Sequence, residues 1–293
     1  MEFGRMTSNG AKRSHIRAAV LALLALLFHA MSGQARTWQV GHGSGEIDSL
    51  ATACRLAESG DTILIAPGRY VADQGFPPKP MIYVHNRSLT ILGGGSRAAD
   101  VVLVRHRLFF KACERTELRG VTFESGESTF LSDGNVYVSD CEFNDVHGNA
   151  MVIGEVGRTA VIEDCVFRRN GAPVRQTPTD YGGAIWAETG VRTTRCQFYD
   201  NVAEERGGAI FTPGEIAIED CLFVRNEAAE GAAVWMGSQA GSVVRSCTFY
   251  ENSCRNNADA ALHVAWANYE TEVEQCLFVA PLDFPCEQAH RMT

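Results

Sequence analysis

The sequence has little positive charge, and its one long apolar run lies near the N-terminus. It contains 26 lysine and arginine residues against 35 aspartate and glutamate residues, a formal net charge of −9. This balance argues against a nucleic-acid-binding surface, so we predict no nucleic-acid partner. No Cys-x-x-Cys pair occurs among the 10 cysteines, and we therefore predict no zinc or other metal site.

Residues 1–35 have the features of a signal peptide. Basic side chains precede the apolar run Ala18–Met31, which is shorter than the roughly 20 residues that span a bilayer. Gly33 and Ala35 are the small residues typical of a cleavage site, so cleavage is predicted after Ala35. A membrane anchor is the alternative. We predict an exported protein, extracellular, at the cell surface or periplasmic, with no transmembrane span in its mature chain.

Removal of residues 1–35 makes the remaining chain more acidic, because four basic residues and one acidic residue are lost. An acidic surface repels polyanions unless a cation bridges the two. We predict no cofactor, since no motif for one is present. The acidic surface is compatible with a calcium ion that bridges it to a polyanion, but it does not require one.

A short motif, Cys-x-Phe, recurs through most of the chain. A further copy has valine in place of cysteine at Val121-Thr122-Phe123. The copies are 20 to 31 residues apart, which indicates one fixed strand with turns of variable length. The repeated positions are Cys141, Cys165, Cys196, Cys221, Cys247 and Cys276, with Phe123, Phe143, Phe167, Phe198, Phe223, Phe249 and Phe278.

Two further signatures follow the Cys-x-Phe motif. Asparagine lies three residues beyond the phenylalanine in four copies, and sequences of the type Gly-Gly-Ala-Ile come after a variable stretch. Apolar residues alternate with period two, which predicts short strands separated by turns. Units this small must stack, because none can bury a face alone. We predict an all-β parallel solenoid with interior columns of cysteine and phenylalanine; a β-sandwich with chance repetition is the alternative.

The predicted solenoid is a single domain over residues 36–293, with recognisable repeat units over roughly 116–280. Upstream, Asp48–Glu58 is predicted to form a short amphipathic helix, with Asp48 as N-cap and Gly60 as the C-terminal stop. Such a helix would cap the open N-terminal end of the solenoid. Its predicted apolar face contains Ile47, Leu50, Ala51, Cys54 and Ala57.

The sequence resembles known protein families in two places. One is a pair of stretches near the start of the mature chain, and the other is the set of repeat signatures. The stretches contain Thr37-Trp38-Gln39-Val40 and Gly60-Asp61-Thr62-Ile63, followed by Ala66-Pro67-Gly68-Arg69-Tyr70. They resemble the opening of secreted right-handed parallel β-helix proteins, the pectate-lyase-like superfamily. The Phe-x-x-Asn and Gly-Gly-Ala-Ile repeats resemble those of chlamydial polymorphic outer membrane proteins. The resemblance implies a right-handed parallel β-helix.

The catalytic motifs of these families have no match in the sequence. The paired-aspartate, His-Gly and Arg-x-Lys motifs of polygalacturonases are not evident, and neither are pectin methylesterase signatures. The calcium carboxylates and catalytic arginine of a pectate lyase match no position. No catalytic residue is carried over, and whether the protein is an enzyme stays open; an enzyme would have lyase-like or glycoside hydrolase-like activity.

In the strand after each Gly-Gly pair, successive side chains alternate between the two faces of the sheet, which predicts which of them face outward. The aliphatic set, such as Ile185 and Ala187, should face the interior, and the other set should face out. Exposed aromatic rows indicate a partner, and flat rings at coil spacing suit sugar faces. The alternative is that the turn 171–180 covers the rings. The predicted substrate-binding row is Trp186, Phe211, Trp235 and His263.

Three carboxylates near this row are candidates for catalysis. Glu188 and Glu215 lie on neighbouring coils, where two carboxylates can share a calcium ion or do acid–base work. Asp180 lies just before the glycine pair. The alternative for all three is a solvated turn. No Ser-His-Asp triad is supported, because the histidines have no clear partners.

The cysteines allow two interpretations. An even count in an exported protein favours disulfides, but six share one ladder position, where parallel Cβ vectors give poor bonding geometry. We predict mostly buried thiols that act as small hydrophobes. The cysteines outside the ladder, Cys54, Cys113, Cys254 and Cys286, are the disulfide candidates.

Two functions remain open at this point. The first is a polysaccharide-directed exported protein, either an enzyme or a binder, with a polysaccharide or surface glycan as partner. The second is a non-catalytic cell-surface or adhesin-like repeat protein. A lesser alternative is an inactive fragment of a longer solenoid.

Overall fold

Parallel strands make up most of the structure, which is a computed structural model. The described residues from Thr37 onward belong to one compact unit. Apart from Ala35, the predicted signal peptide lies outside the described residues, as does Cys286. The structure describes residues 35–43, 46–72, 81–154, 159–171, 180–188, 190–237, 241–255, 261–265 and 271–279.

The strands, numbered here in chain order, form three long sheets within the described residues. Each full coil contributes one strand to each sheet, so consecutive strands lie in different sheets. Sheet 1 has 10 described strands, paired in this order: β1 (Thr37–Val40), β2 (Thr62–Ile65), β5 (Leu89–Gly93), β8 (Arg115–Arg119), β11 (Asn135–Ser139), β14 (Thr159–Glu163), β17 (Gly190–Thr194), β20 (Ile216–Glu219), β24 (Val243–Arg245) and β28 (Glu272–Glu274).

Sheet 2 contains the Cys-x-Phe motifs. From β12 onward, each of its strands begins just after a ladder cysteine and has a ladder phenylalanine at its centre, and β9 has Phe123 at its centre after Val121. Its nine described strands are β3 (Gly68–Val71), β6 (Val101–Val104), β9 (Thr122–Glu124), β12 (Glu142–Asn144), β15 (Val166–Arg168), β18 (Gln197–Tyr199), β21 (Leu222–Val224), β25 (Thr248–Tyr250) and β29 (Leu277–Val279).

Sheet 3 follows the glycine pairs and closes each coil. A two-stranded sheet of β22 (Glu227–Ala228) and β26 (Ser253–Cys254) lies in the connection between sheets 2 and 3. The eight described strands of sheet 3 are β4 (Ile82–His85), β7 (Leu108–Lys111), β10 (Phe130–Ser132), β13 (Met151–Ile153), β16 (Ile185–Ala187), β19 (Ile210–Thr212), β23 (Val234–Gly237) and β27 (Leu262–Ala265).

This topology confirms the predicted all-β parallel β-helix. All strand pairs are parallel, and each strand pairs with its equivalent in the next coil, as for β12 with β15 and β15 with β18. The stack begins at β1, well before the first recognisable repeat unit near residue 116. The earlier coils were not recognised as repeat units because they lack the Cys-x-Phe motif.

A single described α-helix, α1 (Leu50–Leu56), packs against β1, β2 and β4 at the N-terminal end of the stack. It is shorter than predicted. Its N-cap is Ser49, not Asp48, because the Ser49 side chain accepts a hydrogen bond from the Thr52 N–H at 3.1 Å. The helix stops before Gly60, at the extended residue Ala57.

The buried face of α1 also differs from the prediction at two positions. Leu50, Ala53, Cys54 and Ala57 are buried in the core, whereas Ala51 is exposed. The predicted face contained Ala51 and left out Ala53. The buried residues lie at helical spacing and pack the cap against the N-terminal end of the solenoid.

The ladder phenylalanines form one continuous interior stack on sheet 2. Neighbouring ring centroids are 4.7 to 5.2 Å apart, and the rings lie within 7° of parallel. Six of the rings, from Phe123 to Phe249, are almost fully buried, and Phe278 in the last described coil is 38% exposed. Stacked pairs add about 0.5–1.5 kcal/mol each beyond burial and fix the register between coils.

Eight of the described cysteines, Cys54, Cys113 and the six of the ladder, are free thiols. Five ladder cysteines, from Cys141 to Cys247, are buried, and Cys276 is half-buried. Outside the ladder, the predicted disulfide candidates Cys54 and Cys113 are free, which corrects the prediction for these two residues. Cys54 lies in α1, Cys113 in the turn after β7, and Cys254 in β26.

We expect the buried thiols of Cys54 and Cys165 to be inert in the native protein. Burial raises the pKa of the Cys165 thiol well above its usual value and that of Cys54 to about 12, so the reactive thiolate is scarce. Iodoacetamide should leave both unlabelled until guanidinium unfolds the chain, as peptide mass spectrometry would show. The half-buried Cys276 is the internal control. Native labelling of Cys165 would contradict the buried column.

An asparagine ladder runs beside the phenylalanine stack. Asn170, Asn201, Asn226 and Asn252 are buried, and each of the first three amides donates from Nδ2 to the next Oδ1 at 2.9 Å. Each Oδ1 from Asn201 onward also accepts from the backbone N–H of the preceding ladder asparagine. The Phe-x-x-Asn repeat therefore satisfies buried polar groups at the same corner of successive coils.

The corners on both sides of the sheet 2 strands adopt left-handed backbone conformations. The residue before each ladder cysteine has φ between 52° and 54°, and a second left-handed residue lies two positions after most ladder phenylalanines. Their side chains form ion pairs between coils, such as Asp145 with Arg169 at 2.6 Å and Asp164 with Arg195 at 2.7 Å. These exposed pairs contribute little stability, but their alternating sign favours the observed register.

Candidate functional site

The outer face of sheet 3 carries one continuous row of aromatic and aliphatic side chains. The strand register places one outward residue from every coil at the same position, and the alternating residues, such as Ile185 and Ala187, are buried. We call this set the outer row. Its members are Tyr83, Phe109, Leu131, Val152, Trp186, Phe211, Trp235 and His263.

Exposure varies along the outer row. Trp186, Phe211 and His263 are half-buried, and Tyr83 is 49% exposed. Trp235 is only 3% exposed, which corrects the expectation of a uniformly exposed aromatic row. The cause is packing around Trp235 by neighbouring rings and by Arg206.

The rings in the second half of the outer row stack on one another. Phe211 lies between Tyr181 and Trp235, with centroid distances of 4.7 Å to each. Trp235 stacks in turn on His263 at 5.9 Å. The faces of these rings are therefore used within the protein, and mainly their edges are directed outward.

Trp186 differs from its neighbours in the row. In the strand register it lies opposite Val152 in one adjacent strand and Phe211 in the other. The Phe211 ring stacks on Tyr181 and Trp235 and not on Trp186. Among the described residues, no ring stacks on the half-buried Trp186. Among the described residues, Trp186 is therefore the ring of the row best placed to offer a face to a ligand. Residues 172–179 of the turn that was the alternative cover for the rings lie outside the described part of the chain.

A second column borders the outer row at the turn before sheet 3. Tyr181, Arg206 and Glu230 occupy equivalent positions in successive coils. The Arg206 guanidinium donates to Glu230 at 2.8 Å and lies 5.1 Å from the Trp235 ring centroid. This column holds the Arg206 side chain against the ring row, where it covers part of Trp235.

The glycine pairs allow this turn to fold closely against the next coil. Gly182 has φ of +61°, a left-handed conformation. A Cβ on Gly183 would lie 2.4 Å from the Gly208 carbonyl oxygen and 2.5 Å from that of Val202. A larger residue at position 183 would push apart the coils that carry Tyr181 and Arg206.

The column also links Tyr181 to an acidic neighbour. A hydrogen bond to the Glu205 carboxylate raises the pKa of the Tyr181 phenol. The carbonyl oxygen of Asp180 accepts hydrogen bonds from the backbone N–H groups of Glu205 and Arg206, at 2.9 and 3.0 Å. These bonds fix the turn backbone beside the rings.

The three candidate carboxylates occupy different environments. Glu188 is exposed and continues strand β16, since its N–H donates to the Ile153 carbonyl at 2.9 Å. Because it lies two residues after Trp186, it points to the same side of sheet 3. Asp180 is exposed at the turn beside Tyr181.

Glu215 is not aligned with Glu188. Continuing the pairing of Trp186 with Phe211 by two residues places Glu188 opposite Pro213. Glu215 lies at the start of sheet 1, and its carboxylate is 3.7 Å from the Arg192 guanidinium. The two carboxylates therefore belong to different corners of neighbouring coils.

Among the described residues, no cluster of three or more His, Cys, Asp or Glu side chains is arranged to hold a metal ion. In the same part of the chain, no helix has the length and apolar character needed to cross a membrane.

Sequence reasoning missed part of this surface. Arg206 and Glu230 were not singled out, although Arg206 directly precedes a glycine pair, as Tyr181 does, and Glu230 precedes the equivalent Gly231-Ala232. The first three members of the outer row, Tyr83, Phe109 and Leu131, were also missed. They could have been found from the period-two alternation of side chains in their strands, although no glycine pair precedes these strands.

The family of this chain follows from its match to a family model. The model for the right-handed β-helix region matches residues 107–278. The chain therefore belongs to the right-handed β-helix family, and the predicted hand of the solenoid is confirmed.

Two further comparisons accompany this match. No curated protein matches the chain. Among solved structures, the crystal structure of Escherichia coli YbhC is similar over 84% of this chain and 86% of that chain, with a TM-score of 0.47 and 10% sequence identity.

Proposed function

We propose that this protein is an exported carbohydrate-binding β-helix that holds a polysaccharide against the outer face of sheet 3, centred on Trp186. The observation that carries the proposal is a half-buried indole without a stacked ring partner among the described residues, set in a row of aromatic side chains. Aromatic faces bind the apolar faces of sugars, and a straight row across coils suits an extended chain.

Polar groups beside Trp186 support the proposal. Glu188 follows on the same strand and is exposed, and Tyr181 and Arg206 border the row from the turn. Carbohydrate sites combine apolar contact area with a few well-placed polar groups that fix orientation. We propose binding rather than catalysis, because the two best-placed carboxylates, Glu188 and Glu215, face different corners.

Replacing Trp186 with alanine is expected to weaken glycan binding about tenfold or more, because it removes the aromatic contact at the centre of the site. A glycan array, with and without calcium, would identify a ligand for the wild-type protein, and titration calorimetry would then compare variants. Tyr199→Ala is the matched control, since Tyr199 is a half-buried aromatic on the outer face of sheet 2. Wild-type protein that binds no glycan would refute the proposal.

A second candidate function is adhesion at the cell surface. It is favoured by the first half of the outer row, where Tyr83, Phe109, Leu131 and Val152 form an apolar strip across four coils. Such a strip suits contact with a protein partner. Protease shaving of intact cells should then release this protein, whereas recovery only in the soluble exported fraction would count against adhesion.

A further inference from the structure

Acidic side chains border the proposed site on both sides. Glu188 lies on the strand of Trp186, and Asp180 lies in the turn of the same coil. Glu204 and Glu205 lie in the turn of the next coil, and all four residues are exposed. Within the described part of the chain, none of these four carboxylates forms an ion pair with an arginine or a lysine at salt-bridge distance.

Among the described residues, the nearby cations are engaged by other carboxylates. Arg206 is bound to Glu230 at 2.8 Å and lies over the Trp235 ring. Arg192 lies 3.7 Å from Glu215 at the sheet 1 corner. The described side chains beside Trp186 therefore present negative charge to a ligand, and the whole chain has the same sign, at −9.

We infer that the polysaccharide held at this site carries positively charged amino groups, as a polymer of glucosamine does. The inference rests on the proposed function and specifies its ligand. The sugar rings would contact Trp186, while their ammonium groups would lie near Glu188, Asp180 and Glu205. A polyuronate would be repelled by the same carboxylates, and a neutral glycan would leave them without an ionic partner.

The test compares three hexasaccharides that differ in charge: glucosamine, N-acetylglucosamine and galacturonic acid hexamers. Calorimetry is done at low salt and at a pH where the glucosamine amines are protonated. We expect the glucosamine hexamer to bind about tenfold more tightly than its N-acetylated form, and the galacturonate hexamer to bind weakest. The difference should shrink at high ionic strength, because exposed charges are then screened.

A charge variant gives a local readout that folding defects do not mimic. Glu188→Gln should weaken glucosamine hexamer binding about two- to fivefold, as expected for loss of one exposed ion pair. Its binding of the N-acetylated hexamer should not change. Glu114→Gln is the matched control, because Glu114 is an exposed carboxylate at the equivalent corner three coils away.

The outcomes separate this inference from the proposed function. Equal binding of the neutral and cationic hexamers, lost in Trp186→Ala, would overturn the inference and leave the carbohydrate site standing. Tightest binding of the galacturonate hexamer would also overturn it. If none of the hexamers binds and the glycan array is negative, the proposed function and the inference fail together.

Discussion

Replacing Phe198 with alanine is expected to lower the free energy of unfolding by about 3–5 kcal/mol. Phe198 is fully buried, and its ring stacks on Phe167 at 4.9 Å and on Phe223 at 4.8 Å. The substitution opens a cavity in the middle of the stack and removes two ring contacts at once. Guanidinium unfolding followed by circular dichroism and tryptophan fluorescence would measure the loss.

The neighbouring residue provides the control for this prediction. Tyr199→Ala removes a ring of similar size from the outer face of the same strand, where Tyr199 contacts Arg168 at 5.0 Å. Its cost should stay within about 1 kcal/mol. Equal losses for the two variants would mean that the phenylalanine column does not hold the coils together as described.

Replacing Asn201 with alanine is expected to cost about 3 kcal/mol, which is large for one polar side chain. Asn201 Oδ1 accepts from the backbone and the side chain of Asn170, and its Nδ2 donates to Phe167 and Asn226. All of these groups are buried. The variant leaves the Asn170 backbone N–H without its acceptor, and an unsatisfied buried donor costs about 1–3 kcal/mol in addition to the bonds lost.

Asn135→Ala is the matched control for the asparagine ladder. Asn135 also joins two coils, since its Oδ1 accepts from the Thr159 N–H at 3.0 Å, but this bond is exposed to water. Water can replace the lost acceptor there, so we expect a change of about 1 kcal/mol or less. A similar cost for both variants would contradict the role given to burial of the ladder.

Most of the fold could be predicted because successive coils contain the same short sequence motifs. Cys-x-Phe, Phe-x-x-Asn and the glycine pairs mark the same corners in successive coils, and stacking follows from the size of each unit. The first coils could not be delimited in this way. The coils that contain Ile63 and Ile91 have equivalent strands, but neither contains a Cys-x-Phe motif or a Gly-Gly-Ala-Ile sequence.

The start of α1 could not be fixed from the sequence because Asp48 and Ser49 are both favourable N-caps. Which of them caps the helix depends on how Leu50 and Cys54 meet the first coil, and that is a tertiary contact. The same packing buries Ala53 and leaves Ala51, which was predicted to be buried, in solvent.

The candidate site was predictable in position but not in detail. Period-two alternation identifies the strand positions of Trp186 and Trp235. Which ring keeps a free face is decided between coils: Tyr181 stacks on Phe211, and Arg206 covers Trp235. Tyr181 and Arg206 come from turns of variable sequence, and their position before a glycine pair does not predict which ring each contacts.

The most direct test of the proposed function is the crystal structure of this protein with a bound glucosamine hexasaccharide. We predict electron density for sugar rings against the Trp186 indole on the outer face of sheet 3, with amino groups directed toward Glu188. Density on the outer face of sheet 1 or sheet 2, with Trp186 uncontacted, would contradict the account.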